Sequence, residues 1–94
     1  MDPRHFTLSE FQKFISERYE AADRARGTPK TFLWFIEEVG ELATALNSDD
    51  RANLREEFAD VLAWLCTLAN INDVDLTEAL AHKYLRQGTP NEPK

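Results

Sequence analysis

Glu37-Glu38-Val39-Gly40-Glu41-Leu42 reads acid, acid, apolar, small, acid, apolar. Glu56-Glu57-Phe58-Ala59-Asp60-Val61 repeats that order nineteen residues later. Each phrase lies inside an apolar pattern of helical period. The acids therefore stand where a helix buries hydrocarbon. Like charges three or four residues apart on a helix repel by roughly 0.2–0.5 kcal/mol per pair. A hard divalent cation, bound through oxygen, compensates such repulsion most simply. Glu38, Glu41, Glu57 and Asp60 are thus candidate metal ligands.

A helical wheel sharpens the case. On one side of the chain Trp34, Leu42, Phe35, Leu46, Val39 and Phe32 share an arc, with Glu38 inside it, Glu41 at its edge and Glu37 just outside. On the other, Trp64, Leu68, Val61, Leu54, Leu65 and Phe58 share an arc that contains Glu57, with Asp60 at its edge. A solvated charge stripe would lie on the opposite face. Buried carboxylates must be paired, protonated or metal-bound. Glu38 and Glu57 are symmetric about residues 47–48, so an antiparallel hairpin turning there brings all four acids to one level. Pairing with basic residues is the alternative. From Lys30 to Asn70 there are eight acids, and beyond Lys30 itself only two bases, Arg51 and Arg55. Arg55 points away from Glu57 on the wheel. A di-iron carboxylate bundle needs Glu-x-x-His on two helices; the histidines, His5 and His82, are in no such motif. A histidine or cysteine cluster for hydrolytic zinc is absent.

The elements that must hold these acids follow from capping and periodicity. Thr7-Leu8-Ser9-Glu10 is a capping box that opens a first helix, and Gly27 closes it. Pro29 starts a second, running to about Asn47. Asn47-Ser48-Asp49-Asp50 is a turn cluster. A third helix spans about 50–70. Asp75-Leu76-Thr77-Glu78 caps a fourth, ending near Gln87 before Gly88. No alternating strand pattern occurs, so the class is all-α: four helices around a central antiparallel hairpin. The domain is expected over residues 1–87, with a flexible tail at 88–94.

Composition bounds the partners. Ninety-four residues with a net charge of −6 and a large aromatic load, six Phe, two Trp and two Tyr, make one small domain. Burial of those rings points to a second copy of the chain. The acidic balance argues against duplex nucleic acid. The longest apolar run, 61–66, is far short of the ~20 residues of a membrane helix. A lone cysteine, Cys66, in an apolar stretch reads as a core residue, and with no signal peptide at the start points to a reducing, cytoplasmic compartment.

Glu38-x-x-Glu41 followed by Glu57-x-x-Asp60 resembles the metal signature of the MazG-like all-α nucleoside triphosphate pyrophosphohydrolases, the superfamily of dimeric dUTPases and dCTP pyrophosphatases. The similarity continues through Glu57-Phe58-Ala59-Asp60-Val61-Leu62-Ala63-Trp64-Leu65, Leu68-Ala69 and Val74-Asp75-Leu76, and covers about residues 8–87. It implies Mg²⁺-dependent (or Mn²⁺-dependent) hydrolysis of an NTP or dNTP to monophosphate and pyrophosphate, in a homodimer or homotetramer that cleanses nucleotide pools. It implies that Glu38, Glu41, Glu57 and Asp60 hold the metal. Glu37 matches an additional acid and is a candidate to position or deprotonate the attacking water, or else an ordinary surface glutamate. Lys83 and Arg86 match a basic phosphate-binding element, or else serve as charges at a helix C-terminus; the asparagine of that element is replaced in a region carrying Ala79 and Ala81. Lys30 is a further phosphate candidate. Trp34, one turn before Glu38, is placed to stack on a base or to fill core or interface. The alternative to an enzyme is a nucleotide-binding or helical oligomerisation module that keeps the acidic site.

Overall fold

The computed structural model describes residues 1–86, and these form an all-α domain. Helix α1 spans Leu8–Arg26, α2 Thr28–Leu46, α3 Arg51–Ile71 and α4 Leu76–Leu80, the last continuing as a π-helical segment, Ala81–Leu85. The expected tail at 88–94, and the expected domain end at Gln87, lie outside the described residues.

Helices α1, α3 and α4 start where a side chain satisfies a first free amide. Thr7 and Glu10 form the full reciprocal box: Thr7 Oγ1 accepts from the Glu10 amide at 3.1 Å, and the Thr7 amide donates to Glu10 Oε1 at 2.8 Å. Asp50 Oδ1 accepts from Asn53 N at 3.1 Å to open α3. Asp75 Oδ1 accepts from Glu78 N at 3.2 Å to open α4. Between α1 and α2 a single residue, Gly27, is both the end of one helix and the start of the next. Its φ of 87° lies in the region that glycine adopts without cost.

Helices α2 and α3 form the central antiparallel hairpin, turning at Asn47–Asp50, and α1 packs across α3. The core between them is small: Ile15, Ala45, Cys66 and Ala69, with Thr31 and Thr67. Burial pushes the Cys66 thiol up. A buried polar clamp joins three elements. Gln12 Nε2 donates to Asn70 Oδ1 (3.0 Å) and to the Val74 carbonyl (2.7 Å), while its Oε1 accepts from Leu76 N (3.0 Å). Arg24 adds a second tie, donating to the Asn70 carbonyl at the end of α3 (3.0 Å) and pairing with Asp73 (2.7 Å), whose φ is +57°.

The apolar arcs are wider than one chain covers. Phe32, Leu33 and Ile36 on α2, and Phe58, Leu62 and Leu65 on α3, are exposed. Apolar exposure on this scale marks an interaction surface. No helix is long and apolar enough to cross a membrane among the described residues.

Candidate active site

The hairpin brings Glu38, Glu41 and Glu57 together, with one carboxylate oxygen from each lying within 4.8 Å of the others. Glu38 and Glu57 are half-buried and Glu41 is exposed. That difference follows the wheel, on which Glu38 and Glu57 project into the apolar arcs. Oε2 of Glu38 and Oε2 of Glu57 are shielded from solvent and have no hydrogen-bond partner among the described residues. Burial pushes both carboxyls above the ordinary carboxylate range, and the charges of Glu41 and Asp60 push them further. Glu41 lies within hydrogen-bond reach of both. Asp60 is near enough to act on both charges, but stands outside the set of three whose oxygens meet.

Among the described residues, no base forms an ion pair with this group. The ion pairs among the described residues join Arg4 to Asp2, Arg24 to Glu20 and Asp73, and Arg26 to Asp23. None reaches the four acids. Unpartnered, solvent-shielded carboxylate oxygens are costly unless something positive meets them. An all-oxygen donor set of this kind suits Mg²⁺ or Mn²⁺.

The other sequence candidates are placed around this centre. Glu37 is exposed, beside Glu38 but outside the group of three. Trp34 packs edge-on against Trp64 of α3, ring centroids 5.6 Å apart. Lys30 Nζ lies 5.3 Å from the Trp34 ring centroid, one turn earlier on α2. Lys83 and Arg86 are exposed, Lys83 in the π-helical segment and Arg86 directly after it; Lys83 Nζ lies 5.2 Å from the Tyr84 ring. The element they follow, α4, packs against α1.

A second group was not foreseen. Asp23, on α1, is 5% exposed and pairs with Arg26 at 2.6 Å. Arg26 Nε donates to Thr31 Oγ1 at 2.9 Å, and its guanidinium lies 4.7 Å from the Trp34 ring centroid and 5.1 Å from that of Trp64. Asp23 and Arg26 border a cavity of about 390 Å³ between α1 and α3, walled also by Ile15, Tyr19, Ala22, Ala63, Trp64 and Thr67. The volume falls within the range of small-molecule sites. One signal was present in the sequence: Asp23 follows Ile15 by eight and Tyr19 by four, and so continues the apolar stripe of α1.

Comparison with known proteins shows the family. The model of the MazG nucleotide pyrophosphohydrolase domain matches residues 26–87, which take in both acidic phrases. The chain is 33% identical over 84 residues to a phosphoribosyl-ATP pyrophosphatase of Sinorhizobium medicae (strain WSM419), covering 81% of this chain and 78% of that protein. It is 43% identical over 65 residues to a phosphoribosyl-ATP pyrophosphatase of Rhodobacter capsulatus, covering 69% of this chain and 63% of that protein. A similarly named protein of Rhizobium meliloti (strain 1021) is 33% identical over 84 residues, 81% of this chain and 78% of its own length.

Proposed function

The chain belongs to the MazG nucleotide pyrophosphohydrolase family, and from that premise we propose that it hydrolyses a nucleoside triphosphate, NTP or dNTP, between the α- and β-phosphates. Water adds across that anhydride to give a nucleoside monophosphate and pyrophosphate. The observation that supports the reading best is the pair of unpartnered oxygens, Glu38 Oε2 and Glu57 Oε2, beside a third carboxylate.

Glu38, Glu41 and Glu57, with Asp60, would hold Mg²⁺ or Mn²⁺. A divalent ion there supplies charge neutralisation to the phosphates and to the departing pyrophosphate. Glu37 is the base candidate: its carboxylate is solvent-facing and takes the proton of the attacking water. Lys30, Lys83 and Arg86 are the cations that receive phosphate oxygens. The cavity between α1 and α3 receives the base. Trp64, in its wall, follows Asp60 by four residues, so about one helical turn of α3 (roughly 5.4 Å) separates base site from acids. The exposed faces of α2 and α3 are covered by a second copy, in a dimer or tetramer. Cleansing of nucleotide pools in the cytoplasm is the role this chemistry fits.

A second substrate reading has a specific support. The relatives above are named for phosphoribosyl-ATP, whose triphosphate offers the same α–β bond. The test is pyrophosphate release from a panel of NTPs, dNTPs and phosphoribosyl-ATP, with Mg²⁺ and with EDTA, for wild type and Glu57→Gln. Mg²⁺-dependent release from common nucleotides, lost in the variant, is the expected result. Release from phosphoribosyl-ATP alone would replace the substrate. Release from none would leave a binding module.

A further inference from the structure

Asp23 is an acid whose charge is answered on one side only. Its side chain is 7% exposed. One oxygen, Oδ1, accepts from Arg26 Nη2 at 2.6 Å, and the other, Oδ2, has no partner among the described residues. Arg26 cannot swing to serve both, because Thr31 Oγ1 holds its Nε and two indole rings flank its guanidinium. With no donor for it among the described residues, the free oxygen is open to an N–H or O–H donor from a ligand.

The surroundings define that donor. The cavity wall beside Asp23 is apolar and aromatic, with Ile15, Tyr19, Ala22 and Trp64. Phosphate is repelled by the carboxylate. A metal ion finds a single acid there, already paired with Arg26. A flat, neutral heterocycle carrying an N–H donor matches both the rings and the free oxygen.

We propose that Asp23 is a specificity residue that selects nucleotides whose base carries an amino group at purine C6 or pyrimidine C4, adenine or cytosine, over the counterparts with an oxo group there, hypoxanthine or uracil. This rests on the placement of the base in the α1–α3 cavity given under the proposed function. An amino group projects beyond its ring and donates to Oδ2 with no acceptor alongside on its outer flank. The ring N–H of hypoxanthine or uracil is flanked by carbonyl oxygen, which would be driven against the Asp23 carboxylate. Leaving Oδ2 unmet, or meeting it with an acceptor, costs the oxo nucleotide binding energy, and that cost is the source of the discrimination.

The experiment is a tryptophan-fluorescence titration of the protein with AMP, IMP, CMP and UMP, for wild type and Asp23→Asn, alongside pyrophosphate release from ATP and ITP. AMP is expected to bind about tenfold tighter than IMP, and CMP about tenfold tighter than UMP, the scale of one well-placed buried hydrogen bond. In Asp23→Asn the amide oxygen keeps Arg26 and the NH₂ group takes the place of Oδ2, a donor in place of an acceptor, so both ratios are expected to fall to one or below. Equal wild-type affinity for AMP and IMP would overturn the assignment even where ATP is hydrolysed, and does so without recourse to a variant. Discrimination in binding with no pyrophosphate release would leave Asp23 in its role and overturn the proposed function instead.

Discussion

Arg26 and Asp23 form an ion pair whose two members are unequally supported, and the inequality is measurable. Asp23 has one partner, Arg26. Arg26 has that carboxylate, the Thr31 hydroxyl and the faces of Trp34 and Trp64. Replacing Arg26 by Met keeps most of the volume but strands a carboxylate that is 5% exposed. Breaking a buried pair from one side costs about 3–5 kcal/mol, and two lost cation–π contacts add roughly 0.5–1 kcal/mol each. Arg26→Met should therefore cost about 4–7 kcal/mol. Asp23→Asn keeps an acceptor for Arg26 and leaves its other contacts alone, so its cost should be about 1 kcal/mol. The double variant removes both charges and should cost about 3 kcal/mol, which leaves a coupling of roughly 2–5 kcal/mol. Urea unfolding of the metal-free protein, all variants at one protomer concentration, measures these differences. For Arg26→Met the midpoint should fall by roughly 3 M, given urea slopes of about 1–3 kcal/mol per molar. An Asp23→Asn cost equal to or above that of Arg26→Met would refute the argument, as would a coupling below about 0.5 kcal/mol.

The acidic centre should show the opposite behaviour, since its carboxylates burden the metal-free fold. Glu38 and Glu57 are raised by burial and by their acidic neighbours. Below the ordinary carboxylate range both are protonated, folded or unfolded, and the burden is absent. As pH rises through the raised folded values the proton is lost, and stability falls. Glu38→Gln should therefore melt above the wild type at pH 7 in EDTA, with the gap closing near pH 4, and should lose the rise in melting temperature that Mg²⁺ gives the wild type. A gap that widened on acidification would contradict the sign. The glycines divide cleanly by backbone. At Gly27 an added Cβ meets only Pro29 Cδ, at 4.0 Å, but the φ of +87° strains any L side chain, so Gly27→Ala should cost about 1–3 kcal/mol. At Gly40, inside α2, nothing lies within 4 Å, and Gly40→Ala should stabilise the metal-free fold by roughly 1 kcal/mol. Calorimetry of the two variants checks both signs.

The sequence carries the local signals of this fold in full view. Thr7, Asp50 and Asp75 cap helices because their oxygens lie within reach of nearby amides, and that requires no knowledge of distant residues. The meeting of Glu38 with Glu57 was also legible, since a tight hairpin turns distance from the turn into depth along the helix. What lay across three elements was not. Asp23 and Arg26 lie on α1, but their setting is made by Thr31, Trp34 and Trp64 on α2 and α3, and no spacing rule relates those positions. The apolar arcs were read as buried faces, yet Phe32, Trp34, Leu46 and Phe58 remain exposed, because a periodic pattern does not say whether the covering surface belongs to the same chain. The helix after Asp75 was expected to run evenly to about Gln87. It widens to a π-helix at Ala81–Leu85, a stretch with no Gly or Pro to mark it.

The joint at Gly27 fixes more than a turn. With a single residue between α1 and α2, the chain has no slack there to absorb a change in length. Adding one residue at the end of α1 rotates everything before it by about 100° around the helix axis. Ile15, Tyr19 and Asp23 would leave α3 together, taking the cavity and the Gln12 clamp with them. The joint thus sets the phase of α1, as a keyway sets a shaft. New termini or inserted sequence belong instead at Ser48–Asp50, where both neighbouring helices already end and the backbone is exposed.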